Sequence, residues 1–205
     1  MSVNTNKAAA AEAEAAGPEK QQRNGGQRPT TWLILVYRVP SEPTRLRAAV
    51  WRRLRNLGAI YMQNSAAAVP RTAQSERALR ALRNEIVESM EGKAFLVNST
   101  SIIGEADLVD MFNEARNDEY EEILDKCRDF HAGVDKEVKA EHYTYGELEE
   151  NEEDLGKLKG WYEKVKARDM LGAPLAEKVA EALDECSTKL EDFAARVYEA
   201  DHASL

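Results

Sequence analysis

The pattern of apolar and polar residues divides the chain into three parts. Residues 1–29 contain no aromatic side chain and almost nothing apolar larger than Ala, which predicts a disordered tail. From Trp32 to Val39 nearly every residue is apolar, and Pro40 follows, which predicts a buried strand. Beyond Gly104, apolar residues recur at helical spacing in three long segments. The chain therefore predicts a tail, a sheet domain and a helical domain.

The sheet domain is predicted over residues 30–103. Its expected elements are, in order, the strand just described, a helix from near Ser41 to Gly58, two short strands closed by Pro70, a helix over about 75–90 and a strand over 94–97. A βαββαβ order is the split βαβ, or ferredoxin-like, plan. The fold class is accordingly predicted as α+β.

The helical domain is predicted over residues 104–205. One helix runs from Glu105 to about Ala140, the next follows a capping box of Thr144 and Glu147, and the last begins beyond Pro174. Each carries an apolar stripe that must be buried on the other helices or on the sheet domain. A bundle or hairpin appended to the sheet is the expected architecture. The stripes also suit a homodimer or a partner protein, and the sequence does not choose between these.

Composition restricts the classes of function. The 205 residues carry a formal charge of −9, which argues against a protein that coats nucleic acid, although a local basic face is compatible with it. The two cysteines, Cys127 and Cys186, form neither a disulfide framework nor a zinc motif, so a reducing cytoplasm is expected. No apolar run is long enough to span a bilayer, and the N-terminus lacks the apolar core of a signal peptide.

No motif for catalysis, metal binding or cofactor binding stands out. The acidic run Glu147 to Asp154 falls all around its helix and has no histidine at ligand spacing, so a solvated helix start is favoured. The sequence has no Gly-rich phosphate loop, nucleophile elbow or Cys–His pairing. We therefore predict no catalytic residue, no metal site and no cofactor, and we do not expect an enzyme.

Three charged residues fall on apolar helix faces: Arg53, Arg83 and Glu119. Burying an unpaired charge costs several kcal/mol in order of magnitude, so these side chains should be paired or bind a ligand. One interpretation is a structural Arg–Glu pair, or arginines whose stems cover the sheet. The other is an oxyanion pocket, in which guanidinium groups offer forked donors to a tetrahedral dianion. Arg38, near the end of the first strand, would join that pocket.

A second group of arginines lies on the outer face of the first predicted helix. Arg45, Arg52 and Arg55 lie outside its apolar stripe, beside Trp51. A solvated surface is one interpretation of these residues. Contact with DNA phosphates is the other.

Several phrases of the sequence resemble one known family. These are WLILVYRVPSEPTRLRAAVWRRLRNLGAIYMQN, ERALRALRNEI, FNEARNDEYEEILDKC and HYTYGELEENEEDLGKLKGWYEKVKARDMLGA. They resemble the N-terminal domain family of the chromate resistance protein ChrB, from Trp32 to about Asp201. The resemblance implies a chromate-responsive transcriptional regulator, or an accessory to one, with chromate or a related oxyanion and operator DNA as partners. The usual form of that family has a further C-terminal domain, which we do not expect here.

More distantly, the strand–YRVP–helix opening is similar to the ferredoxin-like nucleases of CRISPR adaptation and to a domain of the phenylacetate-pathway repressor. Those nucleases carry a metal-binding aspartate where this chain has Arg38. The resemblance therefore implies no metal-dependent cleavage. The rival hypothesis is a helical dimerisation or protein-interaction module without a small ligand.

Overall fold

A computed structural model describes residues 30–203, so the predicted disordered tail over residues 1–29 lies outside the described part. Four strands form one antiparallel sheet in the order β2-β3-β1-β4. Their bounds are β1 Trp32–Arg38, β2 Ile60–Gln63, β3 Ala66–Pro70 and β4 Lys93–Ser99. The buried run that begins at Trp32 becomes β1, which pairs with β3 on one side and β4 on the other. Two helices lie between the strands and three follow them in the described chain, so the α+β class is confirmed.

Two helices pack on one face of this sheet: α1, Arg45–Leu57, and α2, Ala73–Glu88. Their apolar stripes, including Val50 and Leu54 of α1, join the buried core beneath the sheet. The helix α1 ends at Gly58, as predicted, where the backbone φ is 79°. A glycine tolerates this left-handed conformation without a steric penalty.

Both helix starts differ from the sequence prediction. The helix α1 begins at Arg45 rather than near Ser41, because Pro43 disfavours the helical conformation at the residue before it. The helix α2 begins at Ala73, because Thr72 and Ser75 form a reciprocal capping box. The Ser75 amide donates to Thr72 Oγ1 over 3.0 Å, and the Thr72 amide donates to Ser75 Oγ over 2.8 Å.

Three long helices complete the described chain: α3, Glu105–Lys139; α4, Tyr145–Lys166; and α5, Ala176–Ala203. The first turns of α3 lie on the sheet face opposite α1 and α2, where Phe112 contacts Trp32 edge to face with ring centroids 6.1 Å apart. Farther along, α3 packs with α4 and α5 around a second core that includes Tyr120, Phe130 and Phe193. The apolar stripes that suited a dimer are thus buried against one another within the chain.

The two cores meet along α3, which contributes Leu108 and Phe112 to the sheet core and later residues to the helical core. The predicted domain boundary at residues 103–104 stays a prediction.

Both cysteines are free and buried in the helical core. Burial raises the pKa of the Cys186 thiol to about 12, so it behaves as a small apolar group. Between residues 30 and 203, no helix is long and apolar enough to cross a membrane.

Candidate functional site

A surface hollow of about 590 Å³ lies where β1 ends, between the N-terminal part of α1 and the β2–β3 turn. The residues that line it combine aromatic, basic and small polar side chains: Tyr37, Arg38, Val39, Ser41, Arg47, Trp51, Tyr61, Asn64 and Ser65. Its volume lies in the range typical of small-molecule pockets. Tyr37 is on β1 and Tyr61 on β2, with β3 between these strands, whereas Arg47 and Trp51 are on α1. The hollow therefore needs both the sheet and the helix to form.

The charge of this hollow is positive. Arg38 is exposed, and Arg47 donates from its guanidinium to the Ser41 carbonyl oxygen over 3.3 Å. Among residues 30–203, no carboxylate forms an ion pair with either arginine. Guanidinium groups offer several donors in a rigid fork, the geometry that oxyanions accept. Two such groups line one hollow, and this is the chemistry that can hold an anion.

The hollow also contains a pair of hydroxyl groups. The Tyr37 and Tyr61 oxygens lie 3.1 Å apart and share a hydrogen bond. Burial is the main cause that raises the pKa of Tyr61, and the neighbouring Tyr37 raises it further. Tyr61 therefore stays protonated at neutral pH. A protonated phenol can donate a hydrogen bond to an oxyanion or to a sugar.

The structure does not place the four residues predicted for oxyanion binding around one compartment. Arg53 was expected on a buried face, but its side chain is 53% exposed and pairs with Glu85 of α2. Arg83 is half-buried and donates to Asn84 Oδ1 over 3.1 Å. The expected burial of Arg53 is thus wrong, because its long side chain extends past the helix contact to reach a carboxylate. Of the four, only Arg38 lines the hollow.

The predicted DNA-contacting residues Arg45, Arg52 and Arg55 are all exposed on α1. The Arg55 guanidinium carbon lies 5.3 Å from the centre of the exposed Trp51 ring, a cation–π contact. No ion pair to a carboxylate is formed by these three arginines within the described residues. The outer face of α1 therefore presents positive charge that is free to meet an anionic surface.

The remaining predicted residue, Glu119, belongs to a second feature, which we call the junction cluster: Arg116, Glu119, Tyr120, Arg168 and Asp169. Arg116 is only 4% exposed, and its guanidinium lies 2.8 Å from Glu119 Oε1. It also donates to the Gly58 carbonyl oxygen over 3.0 Å. Arg168, just after α4, forms an ion pair with the same Glu119. The cluster therefore joins α3, the segment after α4 and the turn after α1.

The electrostatics of the junction cluster are those of a structural network. Burial lowers the pKa of Arg116, while the charge of Asp169 opposes that shift. The Tyr120 hydroxyl donates to Asp169 Oδ2 over 3.2 Å, and Asp169 in turn accepts from the Ala173 amide over 2.9 Å. Two guanidinium groups thus face two carboxylates. Since the charges balance, this cluster lacks the surplus positive charge that an oxyanion site requires.

Sequence reasoning found Glu119 but missed its two arginine partners. A signal for Arg116 existed, because it lies four residues after Phe112 and four before Tyr120, both of them buried on α3. Arg168 carries no such signal, because it follows α4 among other basic residues and nothing local links it to Glu119. Only the tertiary structure brings it beside Glu119.

These features define a class of protein: an α+β chain with a basic hollow beside an arginine-rich helix, and long helices locked to the sheet by a buried ion network. A family model, described as Protein ChrB, N-terminal, matches residues 47–204. The chain belongs to this ChrB N-terminal family and is therefore related to chromate resistance. No curated protein and no solved structure matches it. The matched range includes Arg47, Arg52 and Arg55 but begins after Arg38 and Arg45.

Proposed function

We propose that the protein is a non-enzymatic regulator of chromate resistance that binds a chromate-like oxyanion and operator DNA, or that assists a transcription factor which does so. Membership of the ChrB N-terminal family supports the connection to chromate. The observation that carries the proposal is that Arg38 and Arg47 line one hollow without a carboxylate partner within residues 30–203. Our proposal puts the oxyanion beside Arg38, which the sequence suggested, and away from Arg53, Arg83 and Glu119.

The hollow offers a direct way to couple the anion to DNA. Arg38 is at the end of β1 and Arg47 is in the first turn of α1, so an oxyanion held by both would tie the start of α1 to the sheet. The same helix carries Arg45, Arg52 and Arg55 on its outer face. A ligand shifts such an equilibrium only if it binds one arrangement better than the other. The proposal therefore requires that the occupied hollow favours one orientation of α1.

Two further inferences, on the fold of the sheet unit and on the location of the protein, accompany this proposal. We infer that the sheet unit follows the ferredoxin-like plan, because β1 lies between β3 and β4 and all neighbouring strands are antiparallel. We place the protein in the cytoplasm, because its two cysteines are free thiols, as is usual in a reducing compartment.

Isothermal titration calorimetry with chromate, and separately with sulfate, tests the oxyanion site. We expect Arg38→Met and Arg47→Met each to weaken chromate binding by roughly tenfold or more, because each variant loses one charge-assisted pair of hydrogen bonds. Arg77→Met is the matched control, because Arg77 is exposed on α2 and away from the hollow. Loss of binding in Arg53→Met or Arg83→Met, with Arg38→Met and Arg47→Met unaffected, would move the site back to the residues first predicted.

The alternative is an interaction module that binds no small ligand. Large apolar side chains exposed on the sheet, with Phe95 67% exposed, favour a protein contact of some kind. Absence of heat with both anions, together with self-association in light scattering, would support this alternative. Chromate-dependent heat that Arg47→Met removes would exclude it.

A further inference from the structure

The hollow beside α1 is larger than the oxyanion that the proposed function assigns to it. Its volume is about 590 Å³, whereas chromate consists of one central atom and its oxygens. Pockets of several hundred Å³ typically hold whole organic molecules, between aromatic walls and a small number of polar groups. Most of the hollow is therefore left for a further part of the same ligand.

Aromatic rings line the hollow on both of its layers. Trp51 belongs to α1, and Tyr37 and Tyr61 belong to the sheet. The Trp51 residue is 46% exposed, so much of its ring is accessible to a ligand. Nucleobases stack on such rings whatever their identity, because every base has a π-face. A small oxyanion uses none of this aromatic surface.

Arg55 contacts the Trp51 ring from outside the hollow. Its guanidinium carbon lies 5.3 Å from the centre of the ring, in a cation–π contact. Arg55 is not among the described residues that line the hollow. The contact therefore orients the ring without filling the space in front of it.

The arginine and the tryptophan that α1 contributes are spaced for a ligand with two ends. Arg47 and Trp51 are four residues apart, so they lie on one face of the helix, about 6 Å apart along its axis. One ribose separates the base and the 5′-phosphate of a mononucleotide by a similar distance. The hydroxyl groups of Tyr37 and Tyr61 and the amide of Asn64 offer this hollow the hydrogen bonds that a ribose needs.

We propose that the hollow binds a nucleoside monophosphate. Its phosphate is held by Arg38 and Arg47, and its base stacks on Trp51. A phosphate monoester is tetrahedral and carries a charge of about −1.5 to −2 at pH 7, so it matches the oxyanion of the proposed function in shape and charge. The inference rests on that proposed function, because it uses the same two arginines, and it names the class of compound that carries the anion. Chromate then competes with the nucleotide for these arginines.

Calorimetric titrations of the full chain with adenosine 5′-monophosphate (AMP), adenosine and inorganic phosphate test the proposal. We expect AMP to bind roughly tenfold or more tightly than either of its parts, because stacking and charge then act together. Trp51→Leu should weaken AMP binding by roughly tenfold, and Trp51→Phe should keep most of the affinity because it keeps an aromatic ring. Trp161→Phe is the control, since Trp161 packs on the helical core and does not line the hollow, and this variant should bind AMP as the wild type does.

The outcomes separate this inference from the proposed function. If chromate binds through Arg38 and Arg47 but AMP binds no more tightly than phosphate, the nucleotide is wrong and the oxyanion site stands. If neither Trp51→Leu nor Arg47→Met weakens AMP binding, the nucleotide lies outside the hollow and the inference is overturned. If AMP binds with the expected dependence on Trp51 and Arg47 but chromate does not displace it, the inference holds and chromate is not the ligand.

Discussion

Removing the charge of Glu119 should destabilise the protein far more than removing an ordinary surface carboxylate. Glu119 is 17% exposed at its side chain and forms ion pairs with both Arg116 and Arg168. In Glu119→Gln the two guanidinium groups remain beside each other, and Arg116 stays buried, with no shared carboxylate. Loss of one partner from a buried ion pair costs about 3–5 kcal/mol, and the partial exposure here favours the lower end, about 3 kcal/mol.

Urea unfolding followed by circular dichroism measures this free energy, and a thermal melt should show a midpoint lower by roughly 6–12 °C for a chain of this size. The matched control is Glu85→Gln, the same chemical change at the exposed pair with Arg53, which should cost less than about 1 kcal/mol. A second variant separates charge from packing. Replacing Arg116, Glu119 and Arg168 together by Met, Leu and Met should recover most of the lost stability, because apolar groups can replace a buried ion network.

If Glu119→Gln and Glu85→Gln change the free energy of unfolding by the same small amount, the junction cluster is not a buried network that depends on its charge balance. The same conclusion would follow if the apolar triple variant were less stable than Glu119→Gln.

The remaining predictions concern two glycines and two tyrosines. Gly58→Ala should lower the unfolding free energy by about 1–2 kcal/mol or more, because its φ is 79° and an added Cβ would lie 2.8 Å from Arg168 Cβ. Gly156→Ala should instead raise it by up to about 1 kcal/mol, because Gly156 lies inside α4 with open space around it; urea titrations of both variants measure the difference. The pKa of Tyr61 and of Tyr120 is raised in the fold from an ordinary value of 10.0. The unfolded chain therefore loses these protons first, so their contribution to stability is complete below pH 10 and declines as the pH rises above it. Tyrosinate absorbance should show these two groups ionising only together with unfolding, and ionisation of all tyrosines before unfolding would contradict this.

Much of the fold was accessible from the sequence because its signals are local. The apolar run after Trp32 becomes a central strand, and Gly58 ends α1 where the backbone becomes left-handed. The apolar stripe on α3 correctly marked a long helix, since periodicity over many residues leaves little ambiguity. The helix starts were less accurate, because a capping box or a proline decides them within one or two residues.

The candidate site was less accessible, because it depends on which side chains meet in space. The position of Arg53 around the helix axis placed it among apolar residues. Its long side chain nevertheless extends away from that face and reaches the carboxylate of Glu85 on the next helix. Arg47 went unnoticed because nothing local distinguishes it from the other arginines of α1. It becomes interesting only beside Arg38 and the tyrosine pair, which the sheet and α1 bring together.

A gel-shift assay on the DNA upstream of the protein's own coding sequence, with and without chromate, tests the central claim most directly. We expect the purified chain to shift this DNA, the shift to weaken as salt rises, and chromate but not sulfate to change the affinity. Arg52→Gln combined with Arg55→Gln should remove the shift, and Arg47→Met should keep the shift but lose its response to chromate. A chain that binds this DNA equally well with and without chromate would contradict the account.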